Sequence, residues 1–411
     1  MCVPRWYTPI AHIDADCFYA SCEMVRNPGL KNKDMAVVSR IGKMVLAKSY
    51  EAKAKGIKTG MPPWEAKKLA PKIILIDADF DFYAKLSRQL FQVLKSFSPN
   101  VEERSVDEGY LDLKGLRGLY HKTFEQIGTE MQSRVYLQTG LPVSIGIANT
   151  KIISKIASDF NKPKGVKIVD GRSAERFLKE VEIGDVPGFG SNKTSMLNKF
   201  GIYKAQDLAS LDFSMANSIL DKAGVGIWHE LNGRQVWKME IEKKPQQTIS
   251  KTASFIPSRD KDYLFSELVN NLERALSKLN KEKMLVKSVQ IFLRDTDYHI
   301  AWDSIELPQY TNRFEDISRK MRESFEKLCE SEETYRATGI VFTDIILKEN
   351  ENLAFFDNML LNNQKTKFES IKEELNRKYG RDIITVAAKK THRENTKDLS
   401  RLKYNWLGKA R

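Results

Sequence analysis

The stretch Ser105-Val106-Asp107-Glu108-Gly109-Tyr110-Leu111-Asp112 places two adjacent carboxylates inside a run of strand-forming residues. Neighbouring side chains of a strand point to opposite faces, so a bend is needed if Asp107 and Glu108 are to serve one site. Gly109 allows a tight turn or the close approach of another segment. Crowded carboxylates repel one another unless a cation neutralises them, which makes the pair a candidate Mg²⁺ site. Taken alone, the stretch is better explained as an exposed hairpin tip.

A second acidic strand near the N-terminus favours the metal site instead. Residues 10–18 alternate in hydrophobicity, which predicts a strand with Asp14 and Asp16 on one face. Asp14 could then converge with Asp107 and Glu108. Three acids without a His or Cys cluster indicate hard cations with oxygen ligands. Two Mg²⁺ ions about 3.5–4 Å apart could clamp both oxygens of an in-line phosphoryl displacement.

Such a site also needs cations for the remaining phosphate charge. Tyr50 and Lys53 lie three residues apart on one predicted helix, and Lys162 lies in a Pro- and Gly-containing segment. Each of them alone is more typical of a protein surface. Together with the acids they form a coherent candidate site for a triphosphate.

Composition limits the possible classes of protein. The chain has 411 residues, 41% of them hydrophobic and 29% charged, which predicts a soluble protein of two to four domains. It has no signal-peptide pattern and no apolar stretch long enough to span a bilayer. The cysteines show no metal or disulfide spacing, so a reducing cytosol is the simplest setting. The net charge of +13 favours a nucleic-acid partner, although a merely basic protein is the alternative.

The order of predicted elements up to about residue 168 fits an α+β sheet with helices on one face, as in ferredoxin-like domains. Residues 181–208 follow a helix-hairpin-helix pattern, in which Gly188 and Gly190 bring backbone N–H groups to a phosphate and Lys193 follows them. An ordinary helical turn is the alternative interpretation.

A second small α+β domain is predicted after a polar linker. Lys251, Lys287 and Arg294 lie beside its predicted strand ends, where phosphate contacts are possible and a solvated face is the default. In the tail, Leu353, Phe355 and Phe356 form a short apolar peptide that either docks in a partner's pocket or packs on its own protein.

Six motifs occur in the order found in the Y-family translesion DNA polymerases. The chain resembles that family, in both its DNA polymerase IV and UmuC branches, over roughly residues 8 to 345. The motifs are Asp14-Ala15-Asp16-Cys17-Phe18-Tyr19-Ala20-Ser21, Ser49-Tyr50-Glu51-Ala52-Lys53, Gly60-Met61-Pro62, Ser105 to Asp112, Ser144-Ile145-Gly146-Ile147-Ala148 and Lys155-Ile156-Ala157-Ser158-Asp159.

The resemblance implies a multidomain α+β polymerase shaped like a right hand. The implied parts are a ferredoxin-like palm (residues 1–17 and 80–168), small fingers (18–79), a helical thumb with the helix-hairpin-helix (169–240), a linker (241–247), an α+β little finger (248–347) and a tail with a clamp-binding-like peptide (348–411).

The resemblance also implies residue roles. The metal ligands are Asp14, Asp107, Glu108 and the Ala15 carbonyl, the triphosphate contacts are Tyr50, Lys53 and Lys162, and the residue that screens out a ribose 2′-OH is Tyr19, after Phe18. Many members of the family carry Arg at the position of Lys53, and a lysine cannot grip phosphate in bidentate fashion.

The implied activity is low-fidelity, template-directed nucleotidyl transfer from a dNTP to a primer 3′-OH past damaged bases, with two Mg²⁺ ions, as in DNA repair and SOS mutagenesis. The implied partners are primer–template DNA, dNTP and a sliding clamp, which the tail peptide binds. A monomer in the bacterial cytoplasm, associated with the nucleoid, is expected.

Two other classes remain as alternatives. A palm-fold nucleotidyl cyclase also uses paired acids and two metals, but it needs no helix-hairpin-helix, second basic domain or clamp-like peptide. A catalytically idle DNA-binding scaffold has no need of Asp14, Asp107 and Glu108.

Overall fold

The computed structural model describes residues 8–39, 44–242, 246–330 and 332–349. The tail predictions, including those for Leu353, Phe355 and Phe356, lie outside the described residues. The chain divides into two compact units, Met1–Lys243 and Lys244–Arg411. The boundary between them falls within the segment 241–247 that the sequence predicts to be a linker.

The first unit contains eight described strands and twelve described α-helices. The strands are β1 (Ile10–Ala15), β2 (Met35–Val38), β3 (Val45–Lys48), β4 (Ile74–Asp77), β5 (Val101–Glu103), β6 (Glu108–Asp112), β7 (Val143–Ala148) and β8 (Val166–Val169). The helices are α1 (Phe18–Arg26), α2 (Tyr50–Ala54), α3 (Pro63–Leu69), α4 (Phe80–Lys95), α5 (Leu116–Tyr120), α6 (Phe124–Thr139), α7 (Lys151–Phe160), α8 (Ala174–Leu178), α9 (Ser191–Lys199), α10 (Ala205–Ala209), α11 (Phe213–Ile219) and α12 (Lys222–Leu231).

The larger sheet of this unit has the strand order β5-β6-β1-β7-β8. Its middle strand, β1, is antiparallel to both β6 and β7. Ile13 of β1, Leu111 of β6 and Ile145 of β7 are fully buried on one face, in a core that also contains Leu90 of α4 and Met131 of α6. Burying side chains of this size contributes roughly 1.5–3 kcal/mol each, so this core holds the sheet rigid.

The expectation that all helices lie on one face of the sheet is wrong, because α7 covers the opposite face. His12 belongs to that opposite face, and its Nδ1 lies 2.7 Å from Oγ of Ser158 in α7. The physical reason is that β7 and β8 are parallel, so the chain must cross over between them through a helix. The face packed against α4 and α6 is already filled, and α7 takes the free one.

A smaller sheet, with the order β3-β2-β4, has a separate small core with α2 and α3. Helix α1 packs elsewhere: Phe18, Ala20 and Cys22 belong to the core of the larger sheet. A boundary at residue 18, where the fingers are predicted to begin, therefore divides a single core. Helices α8, α10 and α12 bury residues in a third core, which they share with α7.

The second unit has the element order β9 (Ile249–Ser258), α13 (Lys261–Lys281), β10 (Met284–Asp295), β11 (Ile300–Thr311), α14 (Phe314–Leu328) and β12 (Tyr335–Leu347). Its sheet has the order β11-β10-β12-β9, and all neighbouring strands are antiparallel. Both helices pack on one face. The predicted small α+β unit is confirmed.

The described part of the second unit is not basic, contrary to the sequence-based expectation. Residues 246–349 contain 16 Lys and Arg against 18 Asp and Glu. The positive charge of the chain therefore resides in the first unit and the tail. None of the described helices is long and apolar enough to cross a membrane.

Close packing of α7 on the sheet generates a prediction about Gly146 of β7. A Cβ atom there would lie 2.0 Å from the Ser154 carbonyl oxygen and 2.3 Å from the Ser158 nitrogen, and this backbone cannot move independently of the helix. Gly146→Ala should cost about 1–3 kcal/mol and lower the midpoint of thermal unfolding by about 5 °C. The control is Gly118→Ala on exposed α5, where a Cβ meets no atom within 4 Å. Equal unfolding midpoints for the two variants would contradict the prediction.

Candidate functional site

Antiparallel pairing brings the predicted acids together. Asp14 of β1 is the cross-strand partner of Glu108 in β6, so the two side chains share the face that α7 covers. Side chains that pair in this way have Cβ atoms roughly 4.5–5.5 Å apart. Both acids are partly buried.

The bend that the sequence requires is present just before β6. Ser105 Oγ donates a hydrogen bond to Asp107 Oδ1 at 2.5 Å and accepts one from the Glu108 N–H at 3.1 Å. The Asp107 carbonyl also accepts a hydrogen bond from the Ala15 N–H at 2.9 Å, which ties the bend to the end of β1. Gly109 serves close approach, because a Cβ atom would lie 2.7 Å from the Glu102 carbonyl oxygen.

Two lysines neutralise this acidic pair. Lys162 Nζ lies 2.9 Å from Asp14 Oδ1 and 2.6 Å from Asp159 Oδ1, and Lys155 Nζ forms an ion pair with Glu108 Oε2. The two carboxylates therefore each have an ammonium partner. Lys155 was not assigned a role from the sequence, although it stands in a recognised motif.

Burial and charge act differently on the two carboxyl groups. Burial raises the pKa of Asp14 to about 6, although Lys162 partly offsets it. The pKa of Glu108 is lowered to about 2 by the His12 imidazole and by Lys155, against the effect of burial. His12 Nε2 lies 3.5 Å from Glu108 Oε2, and burial lowers the pKa of this histidine. Glu108 is therefore held in its charged form, whereas Asp14 needs a nearby cation to keep its negative charge.

Asp16 is a structural centre of the site rather than a partner of Asp14. It follows the end of β1 and is only 1% exposed. Its carboxylate accepts hydrogen bonds from the Lys164 backbone N–H at 2.8 Å, from the Ser144 hydroxyl at 2.9 Å and from the Tyr50 hydroxyl at 3.4 Å. The predicted strand is shorter than expected and ends at Ala15, one residue before Asp16. The Asp16 carboxylate still reaches Ser144, the cross-strand partner of Asp14, so it lies on the side of the sheet that carries Asp14.

Helix α2 supplies the predicted triphosphate contacts Tyr50 and Lys53. Ser49 caps its N-terminus by accepting a hydrogen bond from the Ala52 N–H at 3.2 Å. Lys53 Nζ lies 5.9 Å from the centre of the Tyr50 ring. Because Asp16 binds both Tyr50 and the segment that carries Lys162, one buried carboxylate connects all three predicted contacts.

Tyr19 lies on α1 beside the acids. Its ring stacks on Tyr83 at 4.9 Å between centroids and meets Phe80 edge-on at 5.7 Å. Burial raises the pKa of Tyr19, and the Asp107 charge adds to this effect. Phe18 is 4% exposed and belongs to the core, so Tyr19 is the residue of this pair that faces the site.

The donor atoms fit a hard divalent cation in their chemistry, because carboxylate oxygens and the Ala15 carbonyl are the available ligands. Within the described ranges, no three His, Cys, Asp or Glu side chains converge closely enough to hold a metal ion as they stand. The lysine pairs explain this, since each ammonium holds its carboxylate towards itself. To bind a cation together, Asp14 and Glu108 would have to turn from these lysines and Asp107 from Ser105.

The predicted DNA contacts of the first unit are all near the start of α9. Gly188 and Gly190 are both exposed. A Cβ atom would meet nothing within 4 Å at Gly190, whereas at Gly188, which has a φ of 97°, it would lie 2.7 Å from the Ile227 side chain. Lys193 is paired with Asp221 at 2.9 Å and must exchange this partner to reach a phosphate.

The predicted DNA contacts of the second unit lie on different faces. Lys251 pairs with Ile340 on the helix-covered side, and the charges of Lys278 and Arg274 act on it. Arg294 lies on the opposite, uncovered side. Lys287 Nζ lies 5.7 Å from the centre of the Tyr310 ring. Lys251 is thus inside a strand rather than beside a strand end.

The contacts of Asp16 generate a prediction about stability. Asp16→Ala leaves the buried Ser144 hydroxyl, and the part-buried Lys164 N–H and Tyr50 hydroxyl, without their acceptor. This should cost about 3 kcal/mol. Asp112→Ala is the matched control, because Asp112 is only partly buried and its carboxylate accepts one local hydrogen bond, from the Lys114 N–H. Denaturant unfolding that finds equal losses for the two variants would refute the role given to Asp16.

Comparison with protein-family models finds two matches. The model of the impB/mucB/samB family matches residues 13–159, and the model of that family's C-terminal domain matches residues 246–355. The first match contains all three candidate acids and the large sheet from Ile13 of β1 to the end of β7, without β8. The second spans the described part of the second unit.

Individual proteins agree with these matches. DNA polymerase IV of Oceanobacillus iheyensis is 33% identical over 92% of this chain and 90% of its own length. DNA polymerase IV 1 of Bacillus subtilis is 30% identical, with 92% of each chain covered.

Solved structures share the fold. A Y-family DNA polymerase chimera superposes with a TM-score of 0.70 at 23% identity, covering 82% of this chain and 99% of its own. An insertion ternary complex of Dbh DNA polymerase gives a TM-score of 0.57 at 24% identity, with the same coverage. The chain therefore belongs to the impB/mucB/samB family, the Y-family of translesion DNA polymerases.

Proposed function

We propose that this polymerase extends a primer by two-Mg²⁺ nucleotidyl transfer at the site formed by Asp14, Asp107 and Glu108. The observation that carries the proposal is the pairing of Asp14 with Glu108 across β1 and β6, beside the Asp107 bend. Membership of the family implies dependence on a divalent metal ion. Bound between these carboxylates and the Ala15 carbonyl, two cations would supply Lewis-acid stabilisation of the attacking and leaving oxygens.

The chain's own residues position the nucleotide. Lys162, Lys53 and the Tyr50 hydroxyl would contact the triphosphate, and Asp16 would hold Tyr50 and the Lys162 segment in place. Lys162 now binds Asp14, and an arriving triphosphate offers this ammonium a second anionic partner. Tyr19, fixed by its stacking on Tyr83, would pack against C2′ of the sugar and exclude a ribose hydroxyl.

DNA and accessory contacts complete the proposal. The solved insertion complex is of a Dbh DNA polymerase, and we extend primer–template DNA and dNTP to this chain as its substrates. We assign the palm, fingers, thumb, linker and little finger to the residue ranges that the sequence predicts for them. Gly190 at the start of α9 would bind a backbone phosphate. The protein would act as a monomer in the cytoplasm, on nucleoid DNA, with its tail peptide bound to a sliding clamp.

Primer extension across an abasic template with Mg²⁺ and dNTPs tests the site. Asp107→Ala should lower the rate by about a thousandfold or more, because a metal ligand contributes several kcal/mol of transition-state stabilisation. Asp112→Ala, four residues from the active-site pair of acids, should extend like wild type.

Removing the metal ion with EDTA should stop extension by the wild type, and excess Mg²⁺ should restore it. Unimpaired extension by Asp107→Ala would refute the metal assignment. Conversion of a nucleoside triphosphate to a cyclic nucleotide, without a primer, would instead indicate a cyclase.

The clamp contact has a separate test. Phe355→Ala combined with Phe356→Ala should abolish clamp-stimulated synthesis and leave distributive synthesis intact, because the apolar peptide would lose its anchors. Phe368→Ala, another aromatic position in the tail, is the control. Undiminished clamp binding by the double variant in a pull-down would contradict the proposal.

A further inference from the structure

A fully buried histidine lies beside the acids of the candidate site, under helix α7. His12 precedes Asp14 by two residues on β1, so the two side chains share the face that α7 covers. Its exposed fraction is 0%, and its cross-strand neighbours are Tyr110 and Gly146. A buried polar ring costs free energy unless its nitrogen atoms have partners. An apolar side chain would avoid that cost, so the two ring nitrogens of His12 call for a physical explanation.

Helix α7 fixes one of the two ring nitrogens. Nδ1 of His12 lies 2.7 Å from Oγ of Ser158. The Ser158 hydroxyl has a single hydrogen, which it can donate either to Nδ1 or to the Lys155 carbonyl, also 2.7 Å away. Donation to Nδ1 leaves that carbonyl its ordinary helical hydrogen bond to the N–H four residues on. It also places the ring proton of His12 on Nε2.

The second ring nitrogen faces a carboxylate of the site. Nε2 of His12 lies 3.5 Å from Oε2 of Glu108. A proton on Nε2 is attracted to that carboxylate, whereas a bare lone pair would be repelled by it. The separation is nevertheless longer than a good N–H···O hydrogen bond, and in the described part of the chain Nε2 has no hydrogen-bond partner. A buried donor is therefore left unpaired beside an acid.

Lys155 accounts for the long separation. Its ammonium forms an ion pair with the same Oε2 atom of Glu108 that Nε2 of His12 faces. A charge-assisted hydrogen bond to an ammonium is stronger than one to a neutral donor, so Oε2 is drawn towards Lys155. The His12 donor can bind this oxygen fully only after Glu108 leaves the lysine.

The surroundings of His12 hold its ring in that orientation. The Tyr110 ring packs against it with 4.8 Å between the ring centres. The Lys151 ammonium lies 5.1 Å from the centre of the Tyr110 ring and is itself bound to the buried Glu102 carboxylate. With Ser158 on Nδ1, the ring has contacts that oppose rotation away from the acid.

We propose that His12 is a positioning residue for Glu108, whose Oε2 atom its Nε2–H binds when Glu108 turns from Lys155 to a divalent cation. The other carboxylate oxygen is then left for the cation. A ligand carboxylate that is held by such a hydrogen bond keeps one orientation, and loss of the supporting residue typically lowers metal affinity about 10–100-fold. The inference rests on the proposed function, because it requires a cation at these acids.

The first test measures binding of Mn²⁺ to the full chain, without nucleotide, from the electron paramagnetic resonance signal of the free ion. His12→Phe should weaken binding about tenfold or more. His12→Gln, whose amide nitrogen can donate to Glu108, should bind within about threefold of wild type. His12→Asn has the same amide on a shorter side chain and should bind as weakly as His12→Phe.

Tyr110→Phe is the matched control, because it keeps the ring that packs on His12 and should bind Mn²⁺ as wild type does. Thermal unfolding midpoints establish that each variant is folded. Equal weakening by His12→Gln and His12→Asn would reduce His12 to a packing role and overturn the proposal. Undiminished binding by His12→Asn would overturn it as well.

The second test locates the ring proton by nuclear magnetic resonance of the chain labelled with ¹⁵N-histidine. The chain has five histidines, and the resonances lost in His12→Gln identify those of His12. Nε2 should carry a proton in the free protein. Added Mg²⁺ should move this proton downfield as its hydrogen bond to Glu108 shortens, and should not do so in Glu108→Ala. A ring proton on Nδ1 alone would overturn the proposal.

Asp107→Ala separates this inference from the proposed function. If wild type and Asp107→Ala bind Mn²⁺ equally, the cation site itself is wrong, and the inference falls with it. If Asp107→Ala binds more weakly than wild type while both His12→Phe and His12→Asn bind as wild type does, only the role given to His12 is wrong.

Discussion

The candidate active site depends on the register of one central strand. Hydrogen bonds on both edges of β1 set Asp14 opposite Glu108 on one side and opposite Ser144 on the other. Since side chains alternate between faces, a slip of one residue would send Asp14 into the apolar core with α4 and α6. Burial of Ile13, Leu111 and Ile145 on that core side prevents the slip. Hydrophobic packing on one face thus positions the acids on the other.

Charge compensation stabilises that acidic face of the sheet. Asp14 and Glu108 are partly buried neighbours, and two carboxylates so placed would repel one another strongly. Lys162 and Lys155 each neutralise one of them. The same ammonium groups stand beside the position where a triphosphate and its metal ions would bind. The arrangement in the free protein is therefore a set of ion pairs that substrate binding would exchange for others.

The two units differ in how they would hold a polyanion. The first unit and the tail carry the positive charge of the chain, while the second unit is slightly acidic over residues 246–349. Electrostatic attraction to phosphate is therefore a property of the first unit and the tail. Arg294, Trp302 and Phe292 give the second unit a surface whose chemistry is largely apolar, on a sheet made rigid by the helices behind it.

The sequence by itself determined the family, the position of most strands and helices, the need for a bend if Asp107 and Glu108 serve one site, and the two acidic strands that could converge. These follow from local patterns, since alternation, turn residues and paired acids leave signals within short windows. Strand β5 and the short helix α5 have no such local pattern in the sequence. The sequence also left the surroundings of Lys193 and Lys251 undetermined. Lys193 pairs with Asp221, and Lys251 lies near the cations Lys278 and Arg274 of α13, all of them distant in sequence.

Only the tertiary structure decided which side chains share a surface. Asp16 lies just beyond the end of β1, and only the fold shows that its carboxylate binds the Ser144 hydroxyl and the Lys164 N–H. Lys155 and His12 reach Glu108 because α7 crosses the sheet on that side. Trp302 and Phe292 lie side by side because β11 and β10 pair in this register. The physical reason is common to all of them: long-range strand pairing and helix packing are set by the whole core.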